Sequence, residues 1–296
     1  MPAHSSGPES PGAEQMQGKR IAIIGAGAMG EALVSGILGA QICLPAQVSC
    51  SHPRSERREE LSAAYGITCH ADNQEAARRA DVVLLSVKPQ VTMEVAHQLR
   101  PALQPGTIFI SIAAGVSLTA LQLVLGDCKI VRAMTNTPAR CGAGTTMWYA
   151  GETVTPEERG LCAALFGSLG LQIETSREEQ LALATAISGT GPMYVFLFIE
   201  ALVEAAVRLG LPRHLGRELV LSTITGAAEF AAGTSRHSAQ LRDDVTSPGG
   251  TSAAALYELD RGRFRTVLHD AVAAAFERAT ELEGSINREA QLKVWH

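Results

Sequence analysis

The stretch with the most chemical promise is Asp243-Asp-Val-Thr-Ser-Pro-Gly-Gly-Thr-Ser-Ala-Ala-Ala-Leu-Tyr-Glu-Leu-Asp260. Residues 245–250 are turn-forming. Pro248 fixes its own φ and has no N–H. Gly249 and Gly250 lack a Cβ, so a ligand can come close to the backbone. Ala253, Ala254, Ala255 and Leu256 favour helix. A helix starting here leaves the N–H groups of Gly250, Thr251 and Ser252 without helical partners. Such donors hold a small carboxylate without any arginine. The plainer alternative is an ordinary capped helix after a loop, and this stretch alone does not separate the two.

A second centre of chemistry lies near the start. Lys19-Arg-Ile-Ala-Ile-Ile-Gly25 is a short apolar run ending in glycine and reads as a buried parallel strand. Gly25, Ala26, Gly27, Ala28, Met29 and Gly30 follow, and residues 31–38 read as a helix. In a strand–G-x-G-x-x-G–helix unit the first glycine serves a tight turn. The second admits a pyrophosphate and the third lets helix and strand pack closely. A merely tight strand–helix turn is the alternative.

The end of the next strand (residues 47–50) usually carries the acid that binds the ribose of NAD. Here the chain reads Ser51-His-Pro-Arg54, with no acid between Ser49 and Ser55. Ser51, His52 and Arg54 suit a ribose phosphate, so NADP(H) is the expected cofactor, with NAD(H) as the second choice. Arg57 and Arg58 read as a solvated helix face. Asp72 caps a short helix, with Asn73 as a possible cofactor contact. Asp81-Val-Val-Leu-Leu-Ser-Val-Lys-Pro89 is the clearest strand, and it ends at the edge where such folds bind ligands. The chain has only four lysines, Lys19, Lys88, Lys129 and Lys293. Lys88 closing a buried strand therefore reads as functional, against snorkelling at the sheet edge.

The elements that must position these groups alternate strand and helix up to about residue 175. Strands are expected over 65–69, 107–112, 129–134, 144–149 and 170–174, and a helix over 155–169 with Thr155 as N-cap and Pro156 next. That alternation means a doubly wound α/β, Rossmann-type domain. Beyond it the pattern is all-α, with helices over 178–187, 192–209, 214–232, 251–259 and 264–282. The expected division is a disordered tail at 1–18, a dinucleotide-binding domain at 19–177, an all-helical substrate and dimerisation domain at 178–284, and a polar C-terminal tail at 285–296. Residues 193–207 and 271–276 are apolar around much of the helix girth, which points to a homodimer through the helical domain.

Composition narrows the class. Of 296 residues 46% are hydrophobic, enough for a sizeable core, and the net charge is −5 with no long basic block, so no nucleic-acid partner is expected. Residues 193–207 are interrupted by Glu200 and Glu204 and read as too short and too charged to span a membrane. Six cysteines lie scattered without a C-x-x-C pair, so neither a metal site nor a disulfide framework is expected. They read as reduced and mostly buried, which suits a cytoplasmic protein. The first 18 residues contain no apolar segment resembling a signal peptide and no arginine before Arg20, which argues weakly against a mitochondrial presequence.

Taken together, these residues resemble the pyrroline-5-carboxylate reductase family. The matching stretches are Ile23 to Gly30, Ser86-Val-Lys-Pro89, Ser111-Ile-Ala-Ala-Gly-Val116, Arg132-Ala-Met-Thr-Asn-Thr-Pro138, Ser188-Gly-Thr-Gly-Pro192 and the stretch from Asp243 to Asp260. The resemblance implies reduction of L-Δ1-pyrroline-5-carboxylate to L-proline by NADPH or NADH, and a dimer with interleaved helical domains, often in rings of dimers. It implies cofactor contacts from Gly25 to Gly30 and at Ser51, His52, Asn73, Val87, Lys88 and Pro89, and at Ala113, Ala114 and Gly115. It implies a substrate loop containing Thr246, Ser247, Gly249, Gly250, Thr251 and Ser252. Three departures stand out: Ser252 where the family usually has Thr, Ser235 where it often has Glu, and Gly189-Thr-Gly-Pro-Met193 where many members have Gly-Ser-Gly-Pro-Ala.

The chemistry asks little acid–base machinery, because a cyclic imine is readily protonated. The protein must orient it against a nicotinamide, hold its carboxylate and exclude water. Ser252 is the candidate partner of the ring nitrogen and Lys88 a positioning group. Rival readings are another cyclic-imine reductase, a β-hydroxyacid dehydrogenase, or a non-catalytic NADP(H)-binding regulator. Hydroxyacid enzymes of this build place a lysine in the helical domain, and the only lysine past residue 129 here is Lys293.

Overall fold

The computed structural model describes Met16 and residues 18–293. The chain divides into two compact units, residues 1–190 with 275–296, and residues 191–274.

The first unit is a single eight-stranded sheet in the order β3-β2-β1-β4-β5-β6-β7-β8. In chain order it comprises β1 (Ile21–Ile24), α1 (Ala28–Gly39), β2 (Val48–Ser51), α2 (Ser55–Tyr65), β3 (Thr68–His70), α3 (Asn73–Ala77), β4 (Val82–Leu85), α4 (Pro89–Leu99), β5 (Ile108–Ser111), α5 (Leu118–Leu125), β6 (Lys129–Met134), β7 (Gly144–Ala150), α6 (Pro156–Gly167), β8 (Gly170–Glu174) and α7 (Gln180–Ala184). Adjacent strands are parallel except β6 and β7, which pair antiparallel. β1 and β4 are neighbours although β2 and β3 intervene in sequence. The direction of winding therefore reverses beside β1, and this is where a crevice opens at the carboxyl edge.

β1, β4 and β5 are buried along their whole length, as strands covered on both faces must be. Alternate residues feed two cores. Ile23, Leu84 and Ile110 face Leu33, Trp148 and Phe166. Ile24, Leu85 and Phe109 face Ala96, Leu121 and Val124. At α6 the Thr155 hydroxyl accepts from the Glu158 N–H while the Glu158 carboxylate accepts from the Thr155 N–H, a capping box preceding Pro156.

The second unit holds α8 (Gly191–Arg208), α9 (Arg213–Ala232), α10 (Ser238–Asp244), α11 (Thr251–Arg261) and the start of α12 (Phe264–Leu292). α10 was not foreseen. Its N-cap is His237, whose Nδ1 accepts from the Ala239 N–H at 3.1 Å. Histidine is a rare cap, so the capping box it forms with Gln240, whose Oε1 accepts from the His237 N–H at 3.2 Å, was passed over.

Four features differ from the sequence reading. Residues 178–190 belong with the first unit, where Leu181 and Ala184 pack beside Met134. Residues 285–292 are not a loose tail. α12 continues through them and buries Ile286 and Ala290 in the sheet's second core. Apart from Asn287 their polar residues are exposed, and two apolar positions four apart mark the buried stripe. Met16 lies in the first core, although the reading put residues 1–18 in a disordered tail; residues 1–15 lie outside the described part of the chain. Finally, α7, a π-helical turn at Thr185–Gly189 and α8 make one continuous helical run, Gln180–Arg208. By length and composition alone that run is long and apolar enough to cross a membrane, longer than residues 193–207 suggested.

The docking of α12 makes a direct prediction. Ile286→Ala should lower the free energy of unfolding by about 2–4 kcal/mol in chemical denaturation, as for a large-to-small change in a packed core. A dangling tail would leave stability unchanged.

Candidate active site

The candidate residues form two sets, one in each unit. In the first, the chain leaves β1 at Gly25 with φ +89°, a conformation L side chains rarely adopt. A Cβ there would lie 2.5 Å from Val87 Cγ1, and one at Gly30 would lie 2.6 Å from the Gly25 carbonyl oxygen. Both glycines are demanded by the protein's own packing. Gly27 is different, because a Cβ there would meet nothing within 4 Å. The space above Gly27 is open to a ligand. The turn is fixed to β2 by the Ser51 carbonyl, which accepts from the N–H groups of Gly25 at 3.2 Å and Ala26 at 2.9 Å.

α1 begins at Ala28 with Gly27 as its cap and no side-chain cap. Among the described residues, the N–H groups of Ala28, Met29 and Gly30 make no backbone hydrogen bond. They are donors at the positive end of a twelve-residue helix, suited to a pyrophosphate. Ser86, at the end of β4, has a buried hydroxyl with no hydrogen-bond partner. A buried polar atom left unpaired calls for a partner. Open space, unbonded amides and this hydroxyl meet at one sheet edge, and they fit a dinucleotide. Ser86 was part of the Ser86–Pro89 stretch but was not singled out. Its position one residue past a fully buried strand was the available signal.

At the ribose edge, Ser51 Oγ donates to Asn73 Oδ1 at 2.7 Å, joining β2 to α3. His52 is half-buried, and burial with the nearby Arg54 charge lowers its pKa from the usual value. Its Nδ1 accepts from the Arg54 N–H at 3.2 Å. The Arg54 side chain is exposed and makes no ion pair among the described residues, so its guanidinium is available. The other two arginines are not the solvated face that the sequence suggested. Arg57 pairs with Glu31 at 2.5 Å and with Glu60 at 3.1 Å, and its side chain is 18% exposed. Arg58 donates to the carbonyls of His52 at 2.9 Å and Pro53 at 2.8 Å. Arg58 holds the loop that carries Arg54, and Arg57 ties α2 to α1. Hydrogen bonding from Arg57 is the main cause that holds the Glu31 carboxyl below its ordinary range.

Along the same edge, Lys88 is exposed and N-caps α4, with Pro89 at the first helical position, and Val87 lies against the Gly25 turn. Of the residues after β5, Ala113 and Gly115 are buried and Ala114 is half-exposed. Gly115, at φ +72°, is covered by α12: a Cβ there would meet the Glu283 N–H nitrogen at 3.0 Å. Its glycine therefore serves packing.

A buried ionic clamp holds that loop, and sequence reasoning missed it. Arg132 in β6 has a side chain 6% exposed and donates to Glu178 at 2.5 Å and Glu283 at 2.9 Å. Glu178 also accepts from the Leu118 N–H at 2.6 Å, and Asn287 accepts from the Ser117 hydroxyl at 2.8 Å. The partners lie 46 and 151 residues from Arg132, so no local pattern could pair them.

In the second unit, Ser247, Pro248, Gly249 and Gly250 form a type II turn. The Gly250 N–H donates to the Ser247 carbonyl at 3.0 Å, proline occupies the second position, and Gly249 in the third has φ +72°. A Cβ at Gly250 would lie 2.4 Å from Ser247 Oγ and 3.2 Å from the Ser247 carbonyl oxygen, so the turn packs closely there. This corrects one expectation: the Gly250 N–H is engaged in the turn and is not a free donor. Those of Thr251 and Ser252 make no backbone bond among the described residues, at the start of the eleven-residue α11. Thr246 anchors the preceding loop by donating to the Arg242 carbonyl at 2.7 Å. Ser252 is half-buried.

Comparison with known proteins decides between the families that share this architecture. The chain is 37% identical to a pyrroline-5-carboxylate reductase of Arabidopsis thaliana over 266 residues, covering 90% of this chain and 96% of that protein. It is 40% identical to one from Synechocystis over 263 residues, covering 89% and 98%. The chain belongs to the pyrroline-5-carboxylate reductase family. A family model for pyrroline-5-carboxylate reductase dimerisation matches residues 178–282. A model described as NADP oxidoreductase, coenzyme F420-dependent, matches residues 20–115. Among solved structures, a Plasmodium falciparum pyrroline carboxylate reductase with NADP bound superposes with a TM-score of 0.84 at 33% identity, covering 90% of this chain and 99% of that one. A ketol-acid reductoisomerase at 15% identity shares the fold alone. The first unit of this family member is a pyridine-nucleotide-binding fold.

Two outcomes follow. Arg54→Ser should weaken NADPH binding about 10–100-fold, the equivalent of one charge-assisted hydrogen bond, while NADH binding changes by less than about threefold in fluorescence titration. Arg132→Met should lower unfolding free energy by about 2–4 kcal/mol. That is below the cost of a dry buried pair, because Glu178 and Glu283 keep 23% and 25% of their side-chain surface exposed.

Proposed function

We propose that this protein reduces L-Δ1-pyrroline-5-carboxylate to L-proline, the last step of proline biosynthesis, with NADPH preferred over NADH. The observation that carries the reading is the type II turn at Ser247–Gly250, which opens α11 with unbonded N–H groups at Thr251 and Ser252. On a chain whose other unit binds a dinucleotide, such donors have the chemistry of a carboxylate subsite. When bound, the reduced nicotinamide supplies the hydride. Thr251 and Ser252 hold the substrate carboxylate through their N–H groups, and the Ser252 hydroxyl hydrogen-bonds the ring nitrogen. Arg54 and His52 hold the ribose phosphate, which supports the NADPH preference, and the lack of an acid between Ser49 and Ser55 points the same way. Lys88, exposed beside the turn, positions bound groups at the sheet edge.

The reading includes a homodimer through the helical domain, assembled further into a ring of dimers. In the second unit Phe196 and Leu197 are each 60% exposed, Phe230 64% and Tyr257 67%. α8, α9 and α12 enclose an apolar groove of about 510 Å³ lined by Met193, Leu197, Phe198, Ile224, Phe264 and Val267. Helices so apolar outside a core require cover. A second copy accounts for the apolar run Gln180–Arg208 without a membrane, and no nucleic-acid partner is invoked. The six cysteines are free, which supports a cytoplasmic location.

The direct assay is NADPH oxidation with pyrroline-5-carboxylate against a panel of keto acids and other cyclic imines. Turnover with the first is expected, and turnover only with the others replaces this reading by a relative's chemistry. Ser252→Ala should lower kcat/KM about 10–100-fold, a loss of roughly 1–3 kcal/mol for one polar contact. Unchanged turnover in that variant removes Ser252 from the mechanism.

A further inference from the structure

Cys50 in β2 and Cys69 in β3 stand directly opposite each other in two neighbouring parallel strands. Their Sγ atoms are 2.9 Å apart, within about 1 Å of the roughly 2.05 Å of a disulfide bond. Neighbouring strands lie about 4.8 Å apart, inside the range of roughly 4.4–6.8 Å that disulfides accept between Cα atoms. Cys50 is buried and Cys69 is half-exposed, so Cys69 is the more exposed residue of the pair. The pair sits one residue before the ribose edge. Ser51 follows Cys50 and accepts from the Gly25 and Ala26 N–H groups, and the His52 N–H donates to the His70 carbonyl at 3.1 Å.

We propose that Cys50 and Cys69 are a reversible disulfide site whose closure loosens the grip on NADP(H). The proposal rests on reading this edge as the ribose-phosphate site. The oxidant class is a hydroperoxide. The Cys69 sulfur attacks a peroxide oxygen, the O–O bond breaks, and water leaves Cys69 as a sulfenic acid. The Cys50 sulfur then attacks Cys69 Sγ, the S–O bond breaks, a second water leaves and the S–S bond forms. Two thiols and one hydrogen peroxide give one disulfide and two waters, and a dithiol reverses it. A strand spacing of about 4.8 Å is shorter than the roughly 5.5–6 Å most common between the Cα atoms of a disulfide, so closing the bond presses β2 and β3 apart at this pair. Ser51 and His52 then shift against the glycine turn, whose position is also fixed by Val87 of the following strand end.

The test uses the full-length protein with the exposed Cys141 changed by Cys141→Ser, which prevents links between molecules. After hydrogen peroxide treatment, intact mass should fall by two hydrogens and peptide mapping should join Cys50 to Cys69. The Kd for NADPH, read by fluorescence titration without substrate, should rise about 3–10-fold and return with dithiothreitol. Cys69→Ser in the same background should show neither change. Absence of the Cys50–Cys69 link in the Cys141→Ser protein overturns the site, and a link that leaves the NADPH Kd unchanged overturns its effect. Neither readout involves pyrroline-5-carboxylate, so failure of the substrate reading stays distinguishable. A protein that forms the link yet binds no NADPH in either state overturns the cofactor reading on which the effect depends.

Discussion

Backbone-on-backbone contact at the Gly25 turn is the constraint on which the carboxyl edge depends. The turn must clear the end of β4 and lie beneath the first turn of α1, and there is no room for a side chain at Gly25 or Gly30. Once those contacts are made, the Ser51 carbonyl engages two turn amides and the first amides of α1 are left facing open space above Gly27. The anion-binding character of the edge is thus a by-product of close packing. It needs no charged side chain in the turn itself; the exposed Arg54 stands one loop away, at the end of β2.

The same device recurs at Gly250. There a type II turn, fixed by Pro248 and the positive φ of Gly249, aims unbonded amides from the start of α11. In each unit, glycine conformation sets a helix start, and each helix start presents unbonded amides of the kind that hold anions. Donors of this kind let a chain of net charge −5 offer two anion subsites with few cations.

What was legible in the sequence was whatever is encoded locally. The apolar runs gave each strand of the sheet to within about four residues, most plainly β1, β4 and β5, because strands buried on both faces are nearly continuous in Val, Ile and Leu. The G-x-G-x-x-G spacing located the turn, and the Pro-Gly-Gly run located the second helix start. What was missed depends on partners distant in sequence. Arg57 looked like a surface residue until Glu31 was placed beside it. Arg132, Glu178 and Glu283 have no common local signal. The polar composition of residues 285–292 concealed a two-residue apolar stripe, and the Gly250 amide looked free because the turn that engages it is a matter of dihedral angles.

The central claim is hydride transfer from a nicotinamide to the imine carbon of pyrroline-5-carboxylate. The most direct measurement is the mass and NMR spectrum of the product formed with NADPH deuterated at both C4 positions. The account predicts proline carrying one deuterium, at C5. Proline without deuterium, or no proline while another substrate becomes labelled, would contradict it.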